Sequence, residues 1–283
     1  MGKSETALEV AKLFNAEIVN GDAFQVYKEM EIGVAKPPKE YFSIVQHHLF
    51  SFVDVDQEYS IADYQKDLRK TVDEILSRGK NVVIVGGSGL YIRSSLYDYE
   101  FAELPKVDMS KYEAMSNEEL FEELKKIDPK QAEIIHMNNR KRVLRAIEIY
   151  LSQGKTKSEV IEEQQHKLVY DAKFFVRDMD RDILYNAINQ RVDKMVEAGL
   201  LDEVKSLVEK YGEDCQSLQA IGYKELIPVL KNEISLDEGV EQIKKNSRNY
   251  AKRQVTYIKH QFPVIFYKNT QDLLEILRKW AII

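Results

Sequence analysis

Asn81-Val82-Val83-Ile84-Val85-Gly86-Gly87-Ser88-Gly89-Leu90-Tyr91 is the stretch on which the fold turns. Val82 to Val85 are all β-branched and leave no polar face, so both faces of this strand must be covered, as in a central parallel strand packed between helices. The glycines that follow permit a tight turn and close backbone approach, and Ser88 can donate to an anion there. A plain tight turn would use the same residues.

Working back from this strand, Ala62 to Leu76 has helical apolar spacing and closes at Arg78-Gly79. Further upstream, Ser4 to Phe14 repeats the helical pattern, Asn15 breaks it, and Glu17 to Asn20 is a short strand. Alternating helices and buried strands predict an α/β fold, a parallel sheet with helices on both faces and ligands at the carboxyl ends of its strands. Downstream, residues 106–139 are polar and helical and predict a small helical insertion within a core of 1–105 and 140–283. A strand returns at Ala172 to Val176. The remainder predicts helices over Ile183–Ala198, Leu200–Tyr211, Tyr223–Leu230 and Leu236–His260, then a last strand over Phe262–Tyr267.

The 283 residues are 44% hydrophobic and 31% charged, which suits one α/β core plus an elaboration. With 41 basic against 47 acidic residues the net charge is −6, so any nucleic-acid surface has to be local. The single cysteine, Cys215, cannot form an internal disulfide, and this predicts a reducing compartment. No apolar run approaches the roughly 20 residues that cross a bilayer. The expectation is a cytoplasmic protein without membrane contact, and a monomer by default.

Five features bear on chemistry. Gly2-Lys3-Ser4 opening a helix is the end of the phosphate loop G-x-x-x-x-G-K-[ST], in which backbone amides and the lysine hold phosphate and the hydroxyl joins magnesium. The first glycine of that pattern and the strand before it are absent from these residues; a truncated gene start would account for that. Asp22, just after a strand, fits a general base and equally caps a turn after Gly21. Arg181, after the returning strand, can reach a diphosphate or pair with Asp178 or Asp182. Arg142 and Arg145 share a helix face suited to RNA phosphates or to solvent. The same choice applies to Lys244, Lys245, Arg248, Lys252 and Arg253. His47 and His48 are neighbours on a strand, point to opposite faces and do not suggest one metal site.

Taken together, Gly2 to Ser4, Asp22 to Tyr27, Ile32 to Pro37, His47 to Leu49, Gly86 to Tyr91, Asn139 to Glu148, Arg181 to Met195, Gln219 to Lys224 and Tyr250 to Gln254 resemble the bacterial tRNA dimethylallyltransferases, in the family's order and over nearly the whole chain. The resemblance implies a P-loop kinase-like sheet in which the diphosphate of a prenyl donor is the leaving group. It implies that Asp22 takes the proton of the exocyclic amine of an adenosine beside the anticodon. Lys3, Ser4 and Arg181, with Mg2+ on Ser4, would stabilise the departing diphosphate of dimethylallyl diphosphate. Gly2, Ser88 and Gly89 would join the diphosphate side. Gln25 and Lys36 would lie on the acceptor side, and Arg142, Arg145, Arg248, Lys252 and Arg253 would meet the tRNA anticodon stem-loop. Two further departures from the pattern are Ala187, where the family often has arginine, and Ala23-Phe24-Gln25 in place of Ser-Met-Gln; Arg191 is the neighbour that could replace the missing arginine. A P-loop small-molecule or nucleotide kinase, and a catalytically weakened tRNA-binding protein, are the alternatives.

Overall fold

The structure is a computed structural model and describes residues 2–101, 105 and 107–281. The chain divides into two compact units, Met1–Leu96 with Tyr170–Ile283, and Tyr97–Val169. The first unit opens with α1 (Lys3–Leu13), β1 (Ala16–Asn20), α2 (Lys39–Ile44), β2 (His47–His48), α3 (Ile61–Ser77), β3 (Asn81–Val85) and α4 (Gly89–Leu96). The second contains α5 (Ser110–Glu113), α6 (Asn117–Ile127), α7 (Pro129–Ile134), α8 (Arg140–Gln153) and α9 (Lys157–Glu163). The first unit resumes with β4 (Phe174–Arg177), α10 (Arg181–Glu197), α11 (Leu200–Tyr211), α12 (Ile227–Leu230), α13 (Leu236–Gln261), β5 (Val264–Tyr267) and α14 (Thr270–Ala281).

β1 is the centre of a three-stranded parallel sheet in the order β2-β1-β3, with Ile18 opposite both His47 and Val83. All five β1 residues are buried. Ala7, Leu8 and Ala11 of α1 close one face over Ile18, and α3 packs against β1 and β3. A reciprocal cap starts α3: the Ser60 hydroxyl accepts from the Asp63 amide, and the Asp63 carboxylate accepts from the Ser60 amide. His47 and His48 diverge as alternation requires, His47 stacking against Phe42 and His48 bonding to Glu17.

The parallel sheet expected from the sequence is present as two pieces. β4 and β5 pair parallel with each other, and neither joins β3. Val10 of α1, Tyr267 of β5 and Leu273 of α14 form a separate apolar cluster against Val83 and Phe175, so side-chain packing spans a gap that backbone pairing does not.

The helical insertion is broader than the 106–139 read from polarity. Its core joins Leu120 and Leu124 of α6 to Val143, Ala146 and Ile147 of α8, which brings α8 and α9 into the unit and moves its limits to Tyr97–Val169. The helix expected over Tyr223–Leu230 contracts to α12. Proline sits at its start, where a missing amide hydrogen costs nothing. Helix α14 has no counterpart among the expected elements, although Leu273, Leu274, Ile276 and Leu277 carry its apolar stripe.

Candidate active site

The carboxyl ends of β1 and β3 are laced into one wall. Gly21 N–H donates to Val85 O at 2.8 Å, and Ser88 N–H donates to Gly21 O at 3.1 Å. Ala23 N–H donates to Ser88 Oγ at 2.9 Å. A side chain at Gly86 would lie 2.0 Å from the Gly21 carbonyl, so only glycine allows the two backbones to meet this closely. Asn20, fully buried, accepts from the Asp22 amide at 2.9 Å and donates to Asp22 O and Leu49 O. Asp22 Oδ1 in turn accepts from Phe24 N–H at 3.0 Å. The Asp22 carboxylate is therefore held by its own loop, with capacity left to accept a proton.

Around Asp22 stand groups from five helices. Lys3 at the start of α1 and Arg191 in α10 both feel its negative charge. Burial lowers the pKa of Lys3, as does the charge of Arg191, and Asp22 opposes both effects. Burial likewise lowers Arg191, with Asp22 acting the other way. Both cations remain reachable by solvent while protein crowds around them, the situation of side chains lining a concave crevice.

Tyr64 of α3, Tyr91 of α4 and Tyr250 of α13 complete the ring. Burial raises each hydroxyl pKa, and the Asp22 charge raises it further; hydrogen bonds to Ser88 and Gln254 partly offset the rise at Tyr250. All three are neutral donors at physiological pH. Tyr64 is fully buried, donates to Asn20 O at 2.6 Å and packs edge-on to Tyr91 at 5.1 Å. Gln254 donates to Gly87 O at 2.7 Å, tying α13 to the Ser88 loop. One carboxylate, two cations, a helix N-terminus and three aromatic walls can accept a proton on one side and hold an anion on the other.

The remaining expected site residues fall in distinct places. Gly2 caps α1 with φ 75°, and Ser4 lies in its first turn. Arg181, at the start of α10, is exposed and lies over the Tyr185 ring at 5.1 Å; the charge of Arg191 acts on Lys3, and Asp22 acts on Arg191. Lys36 donates to Tyr27 O, Ser51 Oγ and Glu31 Oε1, and its side chain is 3% exposed, so its three donors are spent inside the protein. Gln25 donates to Val34 O and Ala35 O in the same loop. Glu203 accepts from the amides of Glu31, Ile32 and Gly33 and from the Tyr223 hydroxyl, and fixes that loop from α11.

Arg142 and Arg145 belong to the Tyr97–Val169 unit, where their charges, after burial, lower the pKa of Lys157 and mark a locally positive face. Arg145 also pairs with Glu148 at 2.7 Å. On α13, Arg248 donates to Asn189 at 2.6 Å, while Lys252 and Arg253 line a shallow groove with Asn249 and Tyr257.

A family model described as IPP transferase matches residues 25–261. A tRNA dimethylallyltransferase of Anoxybacillus flavithermus is 45% identical over 276 residues, covering 97% of this chain and 89% of the relative. Its counterpart in Bacillus subtilis is 45% identical over 285 residues, covering 99% and 91%. The chain belongs to the tRNA dimethylallyltransferase family. Solved structures agree. A tRNA isopentenylpyrophosphate transferase of Staphylococcus epidermidis superposes with TM-score 0.74 at 40% identity, over 99% of this chain and 94% of that one. A eukaryotic dimethylallyltransferase described as acting on tRNA gives 0.84 at 29% identity, over 99% and 75%. These matches bear out the P-loop-like fold and a tRNA prenyltransferase, and they favour neither the kinase nor the weakened binder.

In this chain, Ala187 and Arg191 lie one helical turn apart on the same face of α10. An arginine at position 191 can therefore address the crevice that one at position 187 would address. The sequence pointed to Tyr91, Tyr250 and Gln254 only as members of matched stretches, and Tyr64 had no signal beyond its place in an amphipathic helix.

Proposed function

We propose that the protein transfers a dimethylallyl group from dimethylallyl diphosphate to the exocyclic amine of the adenosine next to the tRNA anticodon, as a cytoplasmic monomer. The observation that carries this reading is a single carboxylate, Asp22, sharing its field with two cations and three tyrosines. The amine nitrogen attacks the allylic carbon, the carbon–oxygen bond to the diphosphate breaks, and the amine proton passes to Asp22. Lys3, Arg191 and the α1 N-terminus accept the charge that develops on the leaving diphosphate, with Ser88 and Gly89 on its flank and Arg181 at the rim. The adenosine must leave its stack to reach this crevice, and Tyr91 and Tyr250 are positioned to flank a flipped base.

Among the described residues no three His, Cys, Asp or Glu side chains form a metal cage. The Ser4 hydroxyl, in the first turn of α1, would hold a magnesium ion beside Lys3. When bound, the ion would neutralise charge on the leaving group. The positive faces at Arg142 and Arg145, and at Arg248, Lys252 and Arg253, supply phosphate contacts for the anticodon stem-loop.

Incubation with radiolabelled dimethylallyl diphosphate and unmodified tRNA tests the reading. Label in RNA, dependent on magnesium and on an adenosine beside the anticodon, is the expected result. Phosphate transfer from ATP without tRNA would favour the kinase, and tRNA binding without label the weakened binder.

A further inference from the structure

Three consecutive backbone amides, those of Glu31, Ile32 and Gly33, converge on one carboxylate from a distant part of the chain. Glu203 of α11 accepts from Glu31 N–H at 3.0 Å, from Ile32 N–H at 2.8 Å and from Gly33 N–H at 3.1 Å. A fourth donor, the Tyr223 hydroxyl, reaches the same oxygen as Gly33, at 2.6 Å. Successive amides turned to one side form a nest for an anion, and a bond to an ionised acceptor is stronger than a neutral one. Burial and the Glu203 charge both raise the Tyr223 hydroxyl pKa, so it stays a neutral donor. The Tyr223 ring is fully buried, and a side chain at Gly33 would begin 2.4 Å from it.

Tyr223 is itself held. Gly222 N–H donates to one oxygen of Glu225 at 2.8 Å, Asn246 of α13 donates to the other at 2.8 Å, and Glu225 is 4% exposed. Further along α13, Tyr250 faces the crevice of Asp22. On the other side of the nest, Val34 O and Ala35 O accept from Gln25 Nε2 at 2.9 and 3.1 Å. Two carbonyl acceptors fix which arm of the Gln25 amide is nitrogen, and so fix its oxygen as well. Gln25 follows Asp22 in the same loop. The contacts therefore run from α13 and α11, through the nest, to a side chain that neighbours the proton acceptor in sequence. A second latch from α11, Lys210 and Tyr211 on Glu29, is half exposed and screened by solvent, which leaves the nest as the firmer hold on the loop.

We propose that Glu203 is a positioning residue for the acceptor: by filling the nest it sets the place of residues 31–35 and, through them, of the Gln25 side chain beside which the adenosine amine is presented to Asp22. On the transfer reading above, on which this role rests, Gln25 lies on the acceptor side. Glu203 itself touches no substrate. Its loss leaves three amides without their acceptor, and the loop shifts to satisfy them elsewhere. The amine then sits off the line of attack, and a misplacement of about 1 Å is enough to cost about 10²-fold in rate. Binding of tRNA through the basic faces, and of the prenyl donor on the Lys3 side, stays nearly as before.

The test compares Glu203→Ala, Glu203→Gln and Tyr223→Phe with the unaltered full chain in single-turnover transfer from labelled dimethylallyl diphosphate to unmodified tRNA. The rate constant should fall about 10²-fold in E203A. It should fall about three- to tenfold in E203Q, which keeps one acceptor oxygen, and in Y223F, which keeps the buried ring and loses one donor. KM for the prenyl donor and tRNA affinity by filter binding should stay within about twofold. A merely structural role would lower the amplitude, which counts active protein, and leave the rate constant alone. Amide exchange at Ile32 and Gly33 should quicken by about tenfold or more in E203A, while that at Val83 to Val85 stays unchanged. Should E203A not fold, E203Q and Y223F decide, with exchange read in them. Rate constants within about twofold of the unaltered value, or unmoved exchange at Ile32 and Gly33, would overturn the role. An unaltered protein that labels no tRNA would overturn the transfer reading and this role with it, whereas failure of the role alone leaves that protein active.

Discussion

β1 and β3 are neighbours in one ladder and have the same length, yet their surroundings differ. β1 has a strand on each side and all its residues are buried. β3 has a partner on one side and a cavity on the other, and none of its residues reaches full burial. Each ends in a loop that builds the crevice, β1 in Asp22 and β3 in Ser88. The contrast teaches that apolar, β-branched sequence fixes which segments are strands, while burial, and hence stability, is set by what lies alongside.

The largest difference between the two strands is expected in catalysis. Asp22→Ala removes the proton acceptor, and prenyl transfer should fall by about 10²–10⁴-fold in kcat with tRNA affinity largely kept. Filter binding beside single-turnover labelling separates these quantities. Turnover near normal would break the assignment of Asp22. Arg191→Ala should cost about 10²–10³-fold, because Arg191 shares the field of Asp22 and Lys3.

Next is packing. Ile18 is 1% exposed between two strands, so Ile18→Ala should cost about 3 kcal/mol in urea denaturation. Val83→Ala, on the strand that borders the cavity, should cost about 1 kcal/mol, because part of its apolar surface has no partner to lose. Equal costs would show that β3 is as well packed as β1.

A smaller effect comes from the charge buried in β1. Glu17 is 2% exposed and accepts from Arg78, Lys80 and His48 at 2.6–2.7 Å. Burial pushes its carboxyl up, but the hydrogen bonds from Lys80 and His48 and the charges of Lys80 and Arg78 outweigh this, leaving it below its ordinary value. A carboxyl lowered in the folded state adds stability that is complete above its unfolded pKa and is lost as pH falls through the folded pKa. The partners are half exposed, so Glu17→Gln should cost only about 1–2 kcal/mol at pH 7. That difference should shrink on acidification below the ordinary glutamate value of 4.5.

Much of this was legible before any coordinates. Local patterning was enough for α1, β1, α3 and β3, because each carries its own period and punctuation. Asp22 and the Ser88 loop could be expected near one another because they follow parallel strands, and Lys3 because Gly2-Lys3-Ser4 opens a helix. What was not legible depends on tertiary partners. The Tyr97–Val169 unit was drawn too narrowly because α8 looks like a basic surface helix until Leu120 and Leu124 close on it. Lys36 looked like an RNA contact because nothing in its neighbours announces that Tyr27 O, Ser51 and Glu31 absorb its donors. Arg191 could be weighed only as a substitute for the residue at 187, since the helical turn that carries it to Asp22 gives no sign of which arginine faces inward.

The smallest expected effect distinguishes two roles for the β3 loop. Ser88 is 8% exposed, and its hydroxyl accepts from Ala23 N–H at 2.9 Å, so it already has a structural task in holding the Asp22 loop. Ser88→Ala removes that acceptor and should cost about 1 kcal/mol of stability. If lacing the loop is its main task, kcat should fall by about three- to tenfold with little change in KM for the prenyl donor, because a displaced Asp22 harms the transition state more than binding. If Ser88 instead holds the diphosphate, KM for the donor should rise with kcat less affected, and threonine should restore it. A KM effect without a kcat effect would place β3's loop on the substrate and leave the positioning of Asp22 to β1 alone.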